Sequence, residues 1–336
     1  MKQHRVAVIG AGIAGLAAAR TLHRAGIEVV VFEKARGVGG RTSTRRREPD
    51  AFDHGAQYFT CKTRAFAAQV EDWQRRGVVA AWEAPVHSLG TENPEHESHP
   101  PERFVGTPGM SALARDLASD LTVRTGQRVE RISRRSAPDP DWLIQCEDAP
   151  PPEEVFGTVI VAAPAPQAAS LLTPVPLLAR QAASVKMVAC QAALVTFDEP
   201  LALPFGGAFV EDETLAWVAR NTSKPKRPER ESWVLHATPE WTHHHQTDSP
   251  QRILTLMLAA FGRATGRPLP KTVFEATHCW KLARAPKPLA VISVWDPSAS
   301  IGVCGDWLCG SRVEDAFQSG EHLGAALRTA LRGPRS

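Results

Sequence analysis

The sequence predicts a mixed α/β fold, and three observations carry that expectation. Residues 5–33 read as strand, glycine turn, helix and strand. Residues 165–285 change texture to alternating apolar segments separated by proline and charge clusters at 224–228 and 286–288. Residues 301–331 return to a strand, a Gly305-Asp306 turn and a long closing helix. At 336 residues the chain can bury a sizeable core, enough for one large or two interlocked domains.

The N-terminal element is the most informative. Arg5–Ile9 is apolar on both faces, as a fully buried parallel strand requires. Gly10-Ala11-Gly12-Ile13-Ala14-Gly15 follows at once, residues 16–25 are good helix formers, and Gly26 ends that helix. Glu28–Glu33 is the second buried strand. The glycines serve different ends. Gly10 makes the tight turn, Gly12 lets a pyrophosphate approach the backbone, and Gly15 lets helix and strand pack closely. The helix start at Ile13 and Ala14 offers free N–H groups and partial positive charge to phosphates. Glu33, followed by Lys34, stands where an acid accepts hydrogen bonds from ribose hydroxyls, and its carboxylate disfavours a 2′-phosphate there. Gly37-Val38-Gly39-Gly40-Arg41-Thr42 then adds a second glycine pair at a fixed offset. Gly40 lets the chain cross near the pyrophosphate, and Arg41 supplies a guanidinium to its charge. That addition points to FAD rather than NAD.

Lys plus Arg (39) against Asp plus Glu (36) leaves a net charge of +3, too balanced for nucleic acid or an anionic membrane as main partner. The six cysteines, at 61, 146, 190, 279, 304 and 309, have neither CxxC spacing nor scaffold density, so reduced thiols in a cytoplasmic protein are expected. The apolar run ending at Ala19 loosely imitates a signal peptide, but the glycine spacing and Arg20, His23 and Arg24 argue against export. The longest later apolar stretch, 253–261, is too short to span a bilayer. No GxSxG, HExxH or metal-spaced Cys/His group is present. His243-His244-His245 reads as a polar loop without a nearby acid or thiol ligand, so no metal is expected.

The fingerprint together with Gly39-Gly40-Arg41 resembles the flavin amine oxidase superfamily, which includes monoamine and protoporphyrinogen oxidases. Further stretches resemble bacterial renalases in particular: residues 52–60 (FDHGAQYFT), 105–111 (VGTPGMS), 162–167 (AAPAPQ), 217–221 (WVARN), 233–238 (WVLHAT) and 304–307 (CGDW). They lie in order over nearly the whole chain. The resemblance implies a discontinuous FAD domain (1–60, 105–165 and 288–336) with an inserted α+β substrate domain (61–104 and 166–287) built on an antiparallel sheet. It implies oxidation of the 1,2- and 1,6-dihydro isomers of NAD(P)H to NAD(P)+ by hydride transfer to flavin N5, with O2 reduced to hydrogen peroxide. It also places Gln57 and Tyr58 near the flavin, the backbone of Val129 at the adenine, Asp306 at the ribityl or pyrophosphate region, and the helix start at Val313 on the pyrimidine edge. Asp315 departs from the pattern, because relatives usually carry glycine there, and an inward-facing acid would oppose an anionic reduced flavin.

That chemistry asks little of side chains. The dihydropyridine nitrogen pushes electron density toward the departing hydride, so the protein supplies position and a polarised acceptor. Gln57, Tyr58, Arg220, Asn221, His236 and Trp280 are the candidates for positioning a dihydropyridine dinucleotide. Trp217 and Trp280 are shaped to stack on a flat heterocycle and equally fit core positions on alternating strands. His236 reads as a substrate contact or as a hydrogen-bonded structural histidine, and Arg220 as a contact or as the partner of a surface acid. Arg45-Arg46-Arg47 reads as a solvated turn able to attract a phosphate-rich dinucleotide. Two alternatives stand beside this reading. One is flavin-dependent amine oxidation, for which Tyr58, the only tyrosine, cannot supply a tyrosine pair and Lys186 is the nearest lysine. The other is a flavin- or nucleotide-binding sensor without turnover.

Overall fold

Two runs of β-branched and apolar residues, Arg5–Ile9 and Glu28–Glu33, seed a six-stranded sheet. The computed structural model describes residues 4–90, 101–135, 141–150 and 154–332. These divide into two compact units: the chain up to Arg41 with Leu113–Met187 and the part from Arg284 onward, and Thr42–Ala112 with Val188–Ala283. The polar, proline-containing runs 90–101 and 136–141, which read as solvated loops, fall almost wholly outside the described residues.

In the first unit the strands run in the order Val294–Asp296, Ile301–Val303, Thr158–Val161, Arg5–Ile9, Glu28–Glu33, Thr122–Thr125. All neighbours are parallel except the first pair. Val6, Ala7 and Val8 are wholly buried, as the unbroken apolar run requires. Helix Ile13–Arg24 packs on the closing helix Val313–Arg332. A Cβ at Gly320 would stand 2.1 Å from the Ala14 carbonyl oxygen, so only glycine permits that approach. A meander of Val129–Arg134, Trp142–Cys146 and Val155–Phe156 completes the β-structure of this unit.

The second unit holds a six-stranded sheet ordered Thr272–Arg284, Val188–Phe197, Ser232–Ala237, Leu215–Arg220, Gly207–Val210, Val86–Leu89. It contains the expected antiparallel pairings and ends on a parallel pair, Gly207–Val210 with Val86–Leu89. Strand alternation divides its faces. Trp233 and Leu235 bury one face against Ile253, Leu254, Met257 and Phe261 of helix Pro250–Thr265. Val234 and Leu194 turn the other way, onto Phe52, Phe274 and Ala276.

The unit boundaries depart from the expected 60, 104, 165 and 287 for identifiable reasons. Residues 166–187 form helices Ala165–Leu171 and Pro176–Ala183, whose Ala168, Leu171, Leu178 and Ala182 complete the first unit's core beside Val159 and Val161. The hairpin Thr44–Arg47/Asp50–Asp53 belongs to the second unit, because Phe52 and Asp53 pack and bond there. His243-His244-His245 is not a loop: it closes helix Pro239–His244, and His245 Nδ1 lies 2.7 Å from Asp248 Oδ2. No group of metal-binding side chains exists among the described residues, and no helix among them is long and apolar enough to cross a membrane.

Candidate functional site

The strand Arg5–Ile9 has Glu28–Glu33 on one side and Thr158–Val161 on the other. The first neighbour follows it directly through helix Ile13–Arg24 and the second comes from far along the chain, and the crevice beyond the carboxyl ends of such parallel strands is where nucleotides bind. Gly10 sits at that end with φ of 109°, and an added Cβ would meet the Ala162 carbonyl oxygen at 2.8 Å. A Cβ at Gly15 would stand 2.1 Å from the Gly10 carbonyl oxygen. Gly12 differs: it caps the helix without a side-chain bond, and a Cβ there meets nothing within 4 Å. The first turn of that helix, at Ile13 and Ala14, thus begins beside open space, with no intrahelical acceptor for its first N–H groups and no acid in the turn. Gly39 N–H donates to Ala11 O at 2.9 Å, and the position of a Gly40 Cβ lies 3.7 Å from Gly12 Cα. The two glycine motifs thus form one backbone cradle, which suits a pyrophosphate.

Glu33 is buried, and its carboxylate accepts N–H bonds from Ala11 and Ala35, each 2.8 Å. Those bonds fix the acid at the rim of the turn and leave lone pairs for a ribose. Lys34 reaches Gln167 Oε1 at 3.3 Å, and burial, then the Arg128 charge, lowers its pKa. Val129 is half-buried at the start of its strand. Arg41 and Asp306 form a two-pronged pair at 2.9 and 2.6 Å, so the two ends of the chain meet here. Asp306 is nearly buried and holds the Arg41 guanidinium in one orientation. Val313, also buried, opens the closing helix. Asp315 accepts the Ser311 and Arg312 N–H groups at 2.9 Å each. It therefore works as half of a capping box at its own helix start, a use for the acid that its departure from glycine did not suggest.

In the second unit, alternation brings several expected residues to one sheet face. Trp217 and His236 are direct cross-strand neighbours. The His54 carbonyl accepts both His236 Nε2 at 3.0 Å, which fixes that tautomer, and Trp280 Nε1 at 2.8 Å. The rings of His54, His278 and Trp280 lie 4.4 to 4.9 Å apart. Burial pushes the pKa of His54 down to about 4, helped by the fields of His278, Arg45 and His236. Burial likewise takes His236 to about 4 against its bond to the His54 carbonyl, with Lys224 adding to the fall. These imidazoles are neutral at pH 7.

Tyr58 packs against Trp82 and Trp217, with the Arg103 guanidinium 5.5 Å from its ring centre. Gln57 is buried, donates to the Asp53 and Gly55 carbonyls, and accepts from Lys224 Nζ at 3.0 Å. Asn221, wholly buried, staples the turn after Leu215–Arg220 to the hairpin through Ala51 O at 2.6 Å and Asp53 N at 3.3 Å. Arg220 lies apart from this group. Its guanidinium donates to Leu201 O and Leu203 O, pairs with Glu231 at 3.2 Å and covers the Trp233 ring. The acid that Arg220 pairs with is itself largely buried rather than a surface one. Lys186 is exposed.

The centre of the network was not visible in the sequence. Asp53, fully buried, accepts from the Thr44 hydroxyl and the Met110 N–H at 2.8 Å each and from Arg227 at 2.5 and 3.1 Å, with Lys224 Nζ 3.6 Å away. Burial pushes the Asp53 carboxyl up, but Lys224, Arg227 and the Met110 N–H outweigh it, leaving the pKa below its ordinary value. Lys224 falls to about 8, chiefly through burial, with Asp53 opposing. Residues 224–228 look like a solvated proline-and-charge separator, and no spacing signal links them to Asp53.

A family model described as NAD(P)-binding Rossmann-like domain matches residues 8–71, and one described as flavin containing amine oxidoreductase matches residues 87–323. A flavin-containing monooxygenase FMO GS-OX-like 10 of Arabidopsis thaliana is 29% identical over 172 residues, 47% of this chain and 36% of that protein. FMO GS-OX-like 11 of the same plant is 57% identical over 51 residues, 15% of this chain and 30% of that protein, so the matches span about a third of these relatives. Cyclohexylamine oxidase from Brevibacterium oxydans IH-35A superposes with a TM-score of 0.78 at 13% identity, covering 98% of this chain and 100% of that one. Putrescine oxidase bound to putrescine gives a TM-score of 0.73 at 16% identity, covering 97% and 99%. At such identities the likeness concerns the fold.

Proposed function

The chain belongs to the flavin containing amine oxidoreductase family and takes FAD as its cofactor, and within that family we propose that it is a renalase-like oxidase of isomeric dihydro-NAD(P), cytoplasmic in location. The observation that carries this reading is the charge balance of the second unit's polar cluster. Its one central carboxylate, Asp53, is already held by Arg227 and Lys224, and its histidines are neutral. An alkylammonium substrate would find cations there rather than acids, whereas an uncharged dihydropyridine linked to phosphates meets no repulsion.

FAD, when bound, supplies the two-electron acceptor and hands the electrons to O2. The cradle of Gly10, Gly12, Gly15 and Gly40 would hold the pyrophosphate and Glu33 the ribose, while Arg41, fixed by Asp306, adds a charge of fixed direction. Trp280, half-buried and backed by the His54 ring, is a flat ring able to order a heterocycle, and Gln57 is locked between Lys224 and the Asp53 carbonyl. No group need remove a proton from carbon, so neutral histidines serve orientation rather than base catalysis.

A second reading, amine oxidation, draws support from Lys224, a buried lysine with a pKa lowered to about 8. Oxygen-electrode assays separate the two. The 1,2- and 1,6-dihydro isomers should drive O2 uptake and yield NAD(P)+ and hydrogen peroxide, with amines inert. Turnover of amines alone would overturn the proposal in favour of the second reading.

A further inference from the structure

Arg45, Arg46 and Arg47 form a strand, Thr44–Arg47, paired antiparallel with Asp50–Asp53, and not the solvated turn that their composition suggests. Alternation separates Arg46 from Arg45. Arg45 lies opposite Phe52, on the side that packs onto the long strand Thr272–Arg284. There it is half-buried, and its Nη1 donates to Thr277 O at 3.3 Å. From that position its charge acts on His278 and on His54, whose rings are 4.8 Å apart. No carboxylate pairs with Arg45 among the described residues; the nearby Asp53 is held by Arg227 and Lys224. His54 is 7% exposed and its Nδ1 has no hydrogen-bond partner. A guanidinium with no counter-charge among the described residues, acting on a buried imidazole whose Nδ1 has no hydrogen-bond partner, calls for an anionic acceptor.

We propose that Arg45, His278 and His54 form a phosphate subsite that takes an oxyanion of the dinucleotide substrate. The proposal rests on the dihydro-NAD(P) reading for the identity of that dinucleotide. The guanidinium fork matches two phosphate oxygens, and each neutral imidazole can turn one N–H toward a third without adding repulsion. A phosphate-free dihydronicotinamide would gain nothing here, so the subsite favours the intact dinucleotide over its fragments.

The test uses the FAD-loaded full chain and three substrates of one ring isomer: dihydro-NAD, dihydro-NADP and the phosphate-free dihydronicotinamide riboside. Arg45→Gln should raise KM for both dinucleotides about tenfold, the size of one charge-assisted hydrogen bond. It should leave kcat and the KM of the riboside unchanged, and Arg45→Lys should recover part of the loss. A larger effect on dihydro-NADP assigns the subsite to the 2′-phosphate, and equal effects assign it to the pyrophosphate. No KM change, or the same change for the riboside, overturns the subsite. Calorimetric titration with inorganic pyrophosphate keeps the test independent of turnover. Binding by wild type that Arg45→Gln loses sustains the subsite even if no dihydronicotinamide is oxidised, an outcome that refutes the functional reading alone. Absence of pyrophosphate binding to wild type overturns the subsite.

Discussion

Replacing Gly12 by Asp should leave the fold intact and abolish flavin binding, and both halves of that statement come from the same geometry. Gly12 has φ of −79° and ψ of 177°, which any residue adopts, and an added Cβ meets nothing within 4 Å. Asp is also a better helix cap than glycine by a few tenths of a kcal/mol, so the apo protein should melt at or slightly above the wild-type temperature. The new carboxylate, however, takes the N–H groups that a pyrophosphate needs and places a negative charge against it. Two unit charges about 4 Å apart at an effective dielectric of 20 repel by about 4 kcal/mol. That corresponds to roughly a thousandfold loss of FAD affinity. The flavin-to-protein absorbance ratio of the purified variant, with apo-protein melting curves, measures both. A normal flavin content would refute the placement of the cradle, and a large fall in apo stability would refute the claim that the space is open.

Other substitutions probe the framework. Gly15→Ala drives a Cβ to 2.1 Å from the Gly10 carbonyl, so it should destabilise the apo protein by about 1–3 kcal/mol in denaturant titrations, and wild-type stability would contradict the packing. Asp53→Asn leaves Lys224 and Arg227 buried without their counter-charge, and a loss of about 3–5 kcal/mol is expected by the same measurement. His54 has a folded pKa of about 4 against an ordinary value of 6.5. Below 6.5 the unfolded chain therefore binds a proton that the fold refuses. Stability is full above 6.5 and falls toward pH 4, by about 3 kcal/mol at most for one such histidine. His54→Phe should flatten that acid slope in urea midpoints measured across pH, and an unchanged slope would show that His54 is not held neutral. Asp315→Ala removes the acceptor of the Ser311 and Arg312 N–H groups and should cost about 1 kcal/mol, with equal stability counting against the cap.

What the sequence made legible was local. The strand Arg5–Ile9, the glycine turn and the helix from Ile13 are encoded by contiguous residues whose conformational needs are individually strong, and they lie where expected. The strand around Trp280 was legible as alternating but not its bounds, Thr272–Arg284, because its packed face runs Phe274, Ala276, His278, Trp280, with a polar ring among the apolar ones that blurs the alternation. Lys224 and Arg227 escaped for a different reason. Charged residues between prolines read as solvated, and their counter-charge, Asp53, lies some 170 positions earlier. Arg45 was hidden the same way, since three consecutive arginines give no hint that the hairpin turns one of them inward. Helices Ala165–Leu171 and Pro176–Ala183 show the limit for domain boundaries: their apolar residues fit either unit, and partners such as Val159 and Val161 decide.

The proposed activity turns on whether a dihydropyridine, and not an amine, delivers electrons to this flavoprotein. Anaerobic titration of the FAD-loaded protein, followed by flavin absorbance, decides it. Complete bleaching is expected at one equivalent of 1,2- or 1,6-dihydro-NAD(P), and almost none with ordinary NADH or with alkylamines. A flavin that stays oxidised with both isomers while an amine bleaches it would contradict the dihydropyridine assignment.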